Sequence, residues 1–294
     1  MSIRNNEDRL GAKIPDESPP IPQVEQQTPQ TPPPQTPSAT FSFATPTEVV
    51  ELPSGGKYYP EGHPLRGVDT IEIKHMTAKE EDILTSRSLL KKGVAIDRLL
   101  QNIIVDKRIN PDDLLVGDKN AILIATRIAG YGSDYETRVS CPACMESTKN
   151  SFYLNRLQPS NIEIERFEGA VTRKGENFLI VLPKTGVQVE VRLLYGRDEK
   201  FLAEAMKMKR KNNLPDSTLT DQFRMFIASV NGHDDRQSIN MFIDSMPASD
   251  SRFLRSVYEK VVPNIDMKQN FICINCGHEG DMEVPLSADF FWPK

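Results

Sequence analysis

The sequence has few cysteines and histidines, no long apolar run and no excess of positive charge. Its 294 residues include four cysteines and four histidines, and the formal net charge is -5. No run approaches the roughly 20 apolar residues that span a bilayer, so we expect no membrane segment. The acidic balance argues against a general nucleic-acid binder, whose affinity would come from many Lys and Arg contacts to phosphate.

The sequence also lacks the common catalytic motifs. We find no Gly-x-Ser-x-Gly elbow, Walker loop, His-Glu-x-x-His pair or dinucleotide fingerprint, and the histidines are scattered. We therefore expect no enzyme and no small-molecule substrate. The opening residues, MSIRNNEDRLGAK, mix acids with bases and precede no apolar core, which predicts a cytoplasmic chain without a signal peptide.

Residues 1–46 form a segment rich in Pro, Gln and Thr with no apolar period. Pro32, Pro33 and Pro34 fix φ and remove three backbone donors, which favours an extended polyproline conformation. We predict a disordered N-terminal arm, either a plain linker or a segment that docks on a partner. Phe41 and Phe43 are the expected docking point, since two alternating rings can fill a groove or join a sheet edge.

All four cysteines belong to two Cys-x-x-Cys pairs: Cys141 with Cys144, and Cys273 with Cys276. Strand-like residues flank each pair, so each is expected on a turn between two strands. Two such knuckles supply the four thiolates that a tetrahedral structural zinc prefers. We predict one structural Zn2+ per chain, bound by these four residues, with His278 outside the ligand set.

Other chemistry fits the cysteine pairs less well. Disulfides are rare in a reducing cytoplasm. A thioredoxin-type redox centre needs one exposed pair at a helix start, and neither pair precedes a convincing helix. A zinc deaminase needs His-x-Glu before Pro-Cys-x-x-Cys, an order that this sequence lacks. Redox or disulfide chemistry and four ordinary thiols remain as alternatives.

Periodicity predicts an α+β fold: a helical layer plus small β-sheets with a two-knuckle, zinc-ribbon-like element. Thr77 and Glu80 form a capping-box pattern that opens a helix ending near Gly93, and Asp118 precedes another apolar helical face. Later helices are expected at about 198–211, 218–231, 237–246 and 249–262. Ser249 or Asp250 is the expected cap of the last one. The predicted regions are 1–46, the arm; 47–160, with the first knuckle; 161–262, an inserted hairpin with helices; and 263–294, with the second knuckle.

Two other features have more than one interpretation. KMKRK, residues 207–211, is either a solvated helix end or a phosphate-binding patch. Phe290, Phe291 and Trp292 lie in the last stretch of the sequence, where they either fold back on the zinc knuckle or anchor a neighbouring subunit.

Several stretches together resemble a known family: LPSGGKYYPEG, MTAKEEDILTSRSLLKKG, the run ending in RIAGYGSDYETRVSCPAC, and CINCGHEGDMEVPLSADFFWP. They are similar to the T-even-type baseplate proteins of contractile-tailed bacteriophages, whose members include a baseplate hub subunit. The resemblance covers roughly residues 50–294 and omits the arm. It implies a non-catalytic structural role in the virion tail baseplate, assembly in the host cytoplasm, and other baseplate and tail proteins as partners.

Two alternatives to a permanent baseplate subunit stay open. One is a tail or baseplate assembly chaperone that is absent from the mature virion. The other is a zinc-ribbon protein that binds nucleic acid or the transcription apparatus, with KMKRK contributing. The acidic overall balance speaks against the second alternative.

Overall fold

The computed structural model describes residues 45–160, 162–167, 169–212, 218–286 and 288–291. Most of the predicted arm, including Phe41 and Phe43, lies outside the described residues, as does Trp292. The described residues form an α+β structure with small antiparallel sheets, which confirms the predicted class. None of the described helices has the length and apolar character that a membrane crossing requires.

The first part of the fold is a hairpin followed by helices. Strand β1 (Thr47–Glu51) pairs antiparallel with β2 (Thr70–Lys74). Four helices follow: α1 (Ala78–Thr85), α2 (Arg87–Lys92), α3 (Ala95–Ile103) and α4 (Val116–Tyr131). Their buried aliphatic residues, such as Leu99 and Ile122, supply much of the core.

The helix expected from Thr77 to Gly93 is two helices. The capping box at its start is confirmed, with the Thr77 N–H donating to the Glu80 carboxylate at 3.0 Å. Ser86 then adopts an extended conformation, ψ 107°, which ends α1 and begins α2. Gly93 ends α2 with φ +73°, as the C-terminal glycine predicted.

The prediction that Ser249 or Asp250 caps the last helix is wrong, because both lie inside its first turn after Pro247, and Asp118 likewise lies inside the first turn of α4. Asp118 of α4 is buried and accepts hydrogen bonds from the Ser54 N–H at 2.9 Å and the Tyr59 hydroxyl at 2.7 Å. Burial raises the pKa of Asp118 despite these donors. Asp250 is likewise buried and accepts from the Lys184 N–H at 2.9 Å. Both carboxylates tie a helix to a distant loop.

Two hairpins and a small sheet complete the β structure. Strands β3 (Asp134–Ser140) and β4 (Ser147–Tyr153) pair in the first hairpin. After the short β5 (Gln158–Pro159), four strands form one antiparallel sheet in chain order: β6 (Val171–Lys174), β7 (Asn177–Val181), β8 (Gln188–Val191) and β9 (Ile227–Val230). The hairpin predicted in the inserted region is confirmed as β7 and β8.

Four helices accompany this sheet: α5 (Gly196–Lys211), α6 (Thr218–Phe226), α7 (Arg236–Ser245) and α8 (Ala248–Val261). The helix expected over residues 218–231 ends at Phe226, and the chain continues as β9. Ile227 and Val230 are buried and β-branched, and pairing with β8 provides hydrogen bonds for this segment. Tertiary pairing therefore overrides the helical pattern there.

The last described strands and the segment around Phe291 lie close to α4. Strand β10 (Ile265–Asp266) pairs with β5, and β11 (Lys268–Ile272) pairs with β12 (Glu279–Glu283) in the second hairpin. Pro263 approaches α4 so closely that a Cβ on Gly117 would lie 2.1 Å from its carbonyl oxygen. The buried apolar residues of Val50 to Phe291 form one hydrophobic core. The boundaries between the predicted regions stay a prediction.

Candidate metal centre

The first knuckle is the turn that joins β3 to β4. The Cys141 N–H donates to the Glu146 carbonyl at 3.0 Å, and the Met145 N–H donates to the Cys141 carbonyl at 2.9 Å. Met145 has φ +63°, an uncommon conformation for a residue other than glycine. This backbone turn places Cys144 beside Cys141.

The second knuckle joins β11 to β12 and repeats the same hydrogen bonds. The Cys273 N–H donates to the His278 carbonyl at 2.8 Å, and the Gly277 N–H donates to the Cys273 carbonyl at 2.9 Å. Gly277 occupies the position of Met145 and has φ +70°. The sequence predicted this turn from the glycine, whereas nothing in the sequence marked Met145 as its equivalent.

The two knuckles bring all four cysteines together, as the sequence predicted. Their sulfur atoms all lie within 4.8 Å of one another. The Sγ atoms of Cys141 and Cys276 are 3.7 Å apart, and those of Cys144 and Cys273 are 3.8 Å apart. These separations are far from the roughly 2.05 Å of a disulfide. They match the edge of about 3.8 Å in a tetrahedron with metal–sulfur bonds of about 2.3 Å.

Backbone amides point at the sulfur atoms. Burial would raise the pKa of the Cys141 thiol, but hydrogen bonds from the amides of Cys144 and Ala143 outweigh it and lower the pKa to about 6. Cys144 accepts from the Glu146 amide, which lowers its pKa, yet burial and the neighbouring sulfurs raise it to about 12. Metal ions bind the deprotonated form of a cysteine, so the amides that donate to Cys141 favour a bound cation here.

Side chains from distant segments hold the two hairpins in place. The Gln269 amide on β11 binds the backbone of Tyr153 on β4, accepting from its N–H at 3.0 Å and donating to its carbonyl at 2.8 Å. The link fixes one hairpin against the other, independently of the sulfurs. Sequence patterns gave no indication of it, because a single glutamine has no distinctive spacing.

A buried arginine, Arg127 of α4, fixes the root of the first hairpin. It donates to the carbonyls of Gly132 at 2.8 Å and Phe290 at 2.8 Å, and its guanidinium lies 6.0 Å from the ring centroid of Tyr135. Burial lowers its pKa. Phe290 meets Tyr135 edge-on with centroids 5.1 Å apart. Phe290 and Phe291 are both buried, so these two rings fold back on the chain.

His278 and the KMKRK motif, which the sequence analysis also singled out, lie outside the metal centre. His278 is half-buried and lies outside the four-cysteine group. Lys209, within KMKRK, forms an ion pair with Asp221, and the motif ends α5 as the helix-end interpretation expected. The four cysteines are thus the residues of the described chain that can hold a metal ion together.

These features define an α+β protein with a four-cysteine cluster between two hairpins. Comparison with known families then gives the particular family: the model described as "T4 bacteriophage base plate protein" matches residues 45–292. The chain belongs to this family, which confirms the resemblance seen in the sequence. No curated protein and no solved structure matches the chain. Membership implies a structural role in a phage baseplate, with other baseplate and tail proteins as partners and the virion tail as location.

Proposed function

We propose that the chain is a non-catalytic subunit of a contractile-tail baseplate, in or beside the hub, where it links neighbouring subunits. The observation that carries the proposal is the family match over residues 45–292. In this role the four cysteines bind one structural zinc ion. A site closed by four protein ligands leaves no position for substrate, which suits bracing and not catalysis.

The zinc would cross-link two distant parts of the chain. Cys144 and Cys273 are separated by the whole central sheet and α5 to α8. Closing so long a loop lowers the conformational entropy of the unfolded chain and so raises stability. A subunit that transmits force through a contracting tail needs such resistance to local opening.

The baseplate role is tested by counting copies in purified tails of the phage that encodes the chain. Quantitative mass spectrometry with isotope-labelled peptides should find a small, fixed copy number relative to the tube and sheath proteins. Cross-linking followed by peptide identification should place the neighbours at the hub. Abundance in infected cells with absence from finished tails would overturn the proposal in favour of an assembly chaperone.

The metal is tested separately on the purified chain. Elemental analysis should find one zinc per chain, and the double variant Cys144→Ser and Cys276→Ser should retain none. Each knuckle then keeps only its first cysteine, which leaves too few thiolates for a tetrahedral site. Ser140→Ala with Ser147→Ala is a matched control, since both serines flank the first knuckle on its exposed face. Metal-free parent protein, or equal zinc in the cysteine variant, would refute the assignment.

A further inference from the structure

Strand β1 bonds to β2 through alternate residues, and this alternation shows which backbone groups of β1 face away from the sheet. The His75 N–H donates to the Pro46 carbonyl at 2.9 Å, and the Leu52 N–H donates to the Asp69 carbonyl at 2.8 Å. Both contacts continue the register of β1 with β2. Bonding residues alternate along an antiparallel strand, so the even-numbered residues of this segment bond to β2. The odd-numbered residues point their N–H and C=O groups away from it.

The odd-numbered side of β1 is an open sheet edge. It consists of Thr47, Val49 and Glu51, which are all exposed. In the part of the chain that the structure describes, β2 is the one strand that pairs with β1. Val49 is 68% exposed on the outer face of this sheet. Proline and lysine commonly protect edge strands, but these three positions hold neither, so the edge can accept another strand.

The residues before β1 have the sequence of a strand that fits this edge. Residues 39–44 lie outside the described residues and lead directly into Thr45. The odd-numbered positions of residues 39–51 contain no proline, whereas Pro37 and Pro53 occupy the next odd-numbered position on each side. Proline has no N–H to donate at an edge, so these two prolines bound one segment that can bond along its odd-numbered side. The centre of this segment is Thr45.

A tight turn does not suit a return of this segment onto β1 of its own chain. A two-residue turn at Ala44 and Thr45 would need the next residue, Pro46, to donate an N–H that it lacks. A three-residue turn would need a positive φ at Pro46, whose ring fixes φ near about −65°. Pro46 instead continues the pairing with β2 through its carbonyl. The segment before it is therefore better suited to the edge of a neighbouring molecule.

We propose that two copies of the chain form a dimer in which residues 39–51 of both pair as antiparallel strands about Thr45. Residues 39–44 of each copy then occupy the open edge of β1 in the other copy. The contact uses the same residues on both sides, so it closes as a two-fold dimer and does not extend into a filament. The proposal rests on the linking role given above and names the partner for one of its links.

The side chains also match in the register centred on Thr45. The opposed pairs include Phe41 with Val49, Phe43 with Thr47, Ser42 with Glu48 and Ala39 with Glu51. Opposed side chains lie on one face of a sheet, so the Phe41 ring would cover the exposed Val49. Each acidic residue of β1 meets an uncharged residue. Direct pairing of two β1 strands would instead gather the carboxylates of both copies at one edge, where they repel each other.

The test is sedimentation velocity of the full metal-loaded chain over a range of concentrations, with two proline variants. The parent should form a dimer. Thr45→Pro removes the N–H that each copy donates across the two-fold axis, so dimerisation should weaken at least about tenfold through the loss of two hydrogen bonds. Ala44→Pro is the matched control, because it adds the same ring at a position whose N–H points away from the partner. It should dimerise as the parent does, and both variants keep Phe41 and Phe43.

Amide hydrogen exchange, measured residue by residue, reads out the edge itself. The amides of Thr47 and Val49 should be protected in the parent dimer and should exchange rapidly in the monomeric Thr45→Pro chain. The Val50 amide bonds to β2 and should stay protected in both proteins. This alternation between odd and even residues distinguishes strand pairing at the edge from a general change in stability.

Three results would overturn the proposal. The first is a monomeric parent, whether its edge amides are open or are protected by residues 1–44 of the same chain. The second is a dimer in which the amides of Thr47 and Val49 exchange as fast as in Thr45→Pro, since another surface would then join the copies. The third is equal weakening by Ala44→Pro, which would refute the register. Copy number in phage tails is measured independently, so the baseplate role stands or fails separately.

Discussion

The two knuckles have the same backbone but different surroundings. Each begins with a buried cysteine, Cys141 or Cys273, that exchanges equivalent hydrogen bonds with the far side of its turn. The second cysteines differ, since Cys144 is half-buried and Cys276 is exposed. The local pattern Cys-x-x-Cys therefore fixes the turn, while contacts elsewhere decide how firmly each turn is held.

The first hairpin is anchored by several buried aromatic rings and the second by one. Tyr135 and Phe152 of β3 and β4 are almost fully buried, and Phe290 packs on Tyr135. In β11 and β12 the one buried side chain among the described strand residues is Phe271. The first hairpin thus contributes two buried rings to the hydrophobic core, whereas the second contributes Phe271 and depends more on the sulfurs and the Gln269 link. The comparison teaches that one shared site can hold two hairpins of very different independent stability.

Metal removal should produce the largest effect, and it tests the difference in anchoring between the two hairpins most directly. Chelation is expected to open the second hairpin and to speed up hydrogen exchange of its amides. Structural zinc in small knuckle peptides supplies about 10–16 kcal/mol of binding free energy, which is then lost. Hydrogen exchange should then speed up most at the amides of Cys273 and Gly277, while amides of β3 and β4 next to Tyr135 and Phe152 stay protected. Equal loss of protection in both hairpins would contradict the difference in anchoring.

Removing one aromatic side chain from each hairpin should sharpen the comparison. Phe152→Ala deletes a ring with no exposed surface, which costs about 3–5 kcal/mol with or without metal. Phe271→Ala should cost a similar amount in the metal-loaded chain and much less after chelation, because its hairpin is then already loosened. Denaturant unfolding in both states measures the two costs. A metal-independent cost for Phe271→Ala would show that the second hairpin packs without the site.

The Gln269 link should have a smaller effect. Gln269→Ala removes two hydrogen bonds to the Tyr153 backbone, and we expect a loss of about 1–2 kcal/mol in unfolding free energy. Asn270→Ala is the matched control on the next residue of β11, where the side chain faces outward and contacts Glu279. If the two substitutions cost the same, the link does not join the hairpins energetically.

The sequence predicted those parts of the fold and site that depend on local patterns. The capping box at Thr77, the hairpin of β7 and β8, and the turns of both cysteine pairs each follow from residues a few positions apart. The two Cys-x-x-Cys pairs also predicted that the two turns lie together, because four thiols satisfy one tetrahedral site.

The parts that the sequence missed depend on partners far along the chain. An aspartate near the start of a helix is typical of a cap. The Asp118 carboxylate instead accepts hydrogen bonds from Ser54 and Tyr59, which come from a distant loop. Residues 227–230 continue the helical pattern of the sequence, but they form a strand because they pair with the edge of β8. Met145 has no sequence signal at all, since its positive φ follows from the Cys141 turn.

Met145 and Gly277 give the smallest and most direct test of the equivalence between the knuckles. Gly277→Ala should destabilise by about 1–2 kcal/mol through backbone strain alone, because an added Cβ meets no atom within 4 Å. Met145→Gly should be neutral or stabilising by up to about 1 kcal/mol, since it relieves the strain at φ +63° and the side chain is 76% exposed. Ala143→Gly, at an exposed position of the same turn without positive φ, should instead destabilise by about 0.5–1 kcal/mol through chain entropy. Urea unfolding of the metal-loaded chains compares the three. If Met145→Gly costs as much as Ala143→Gly, the first knuckle does not share the backbone requirement of the second.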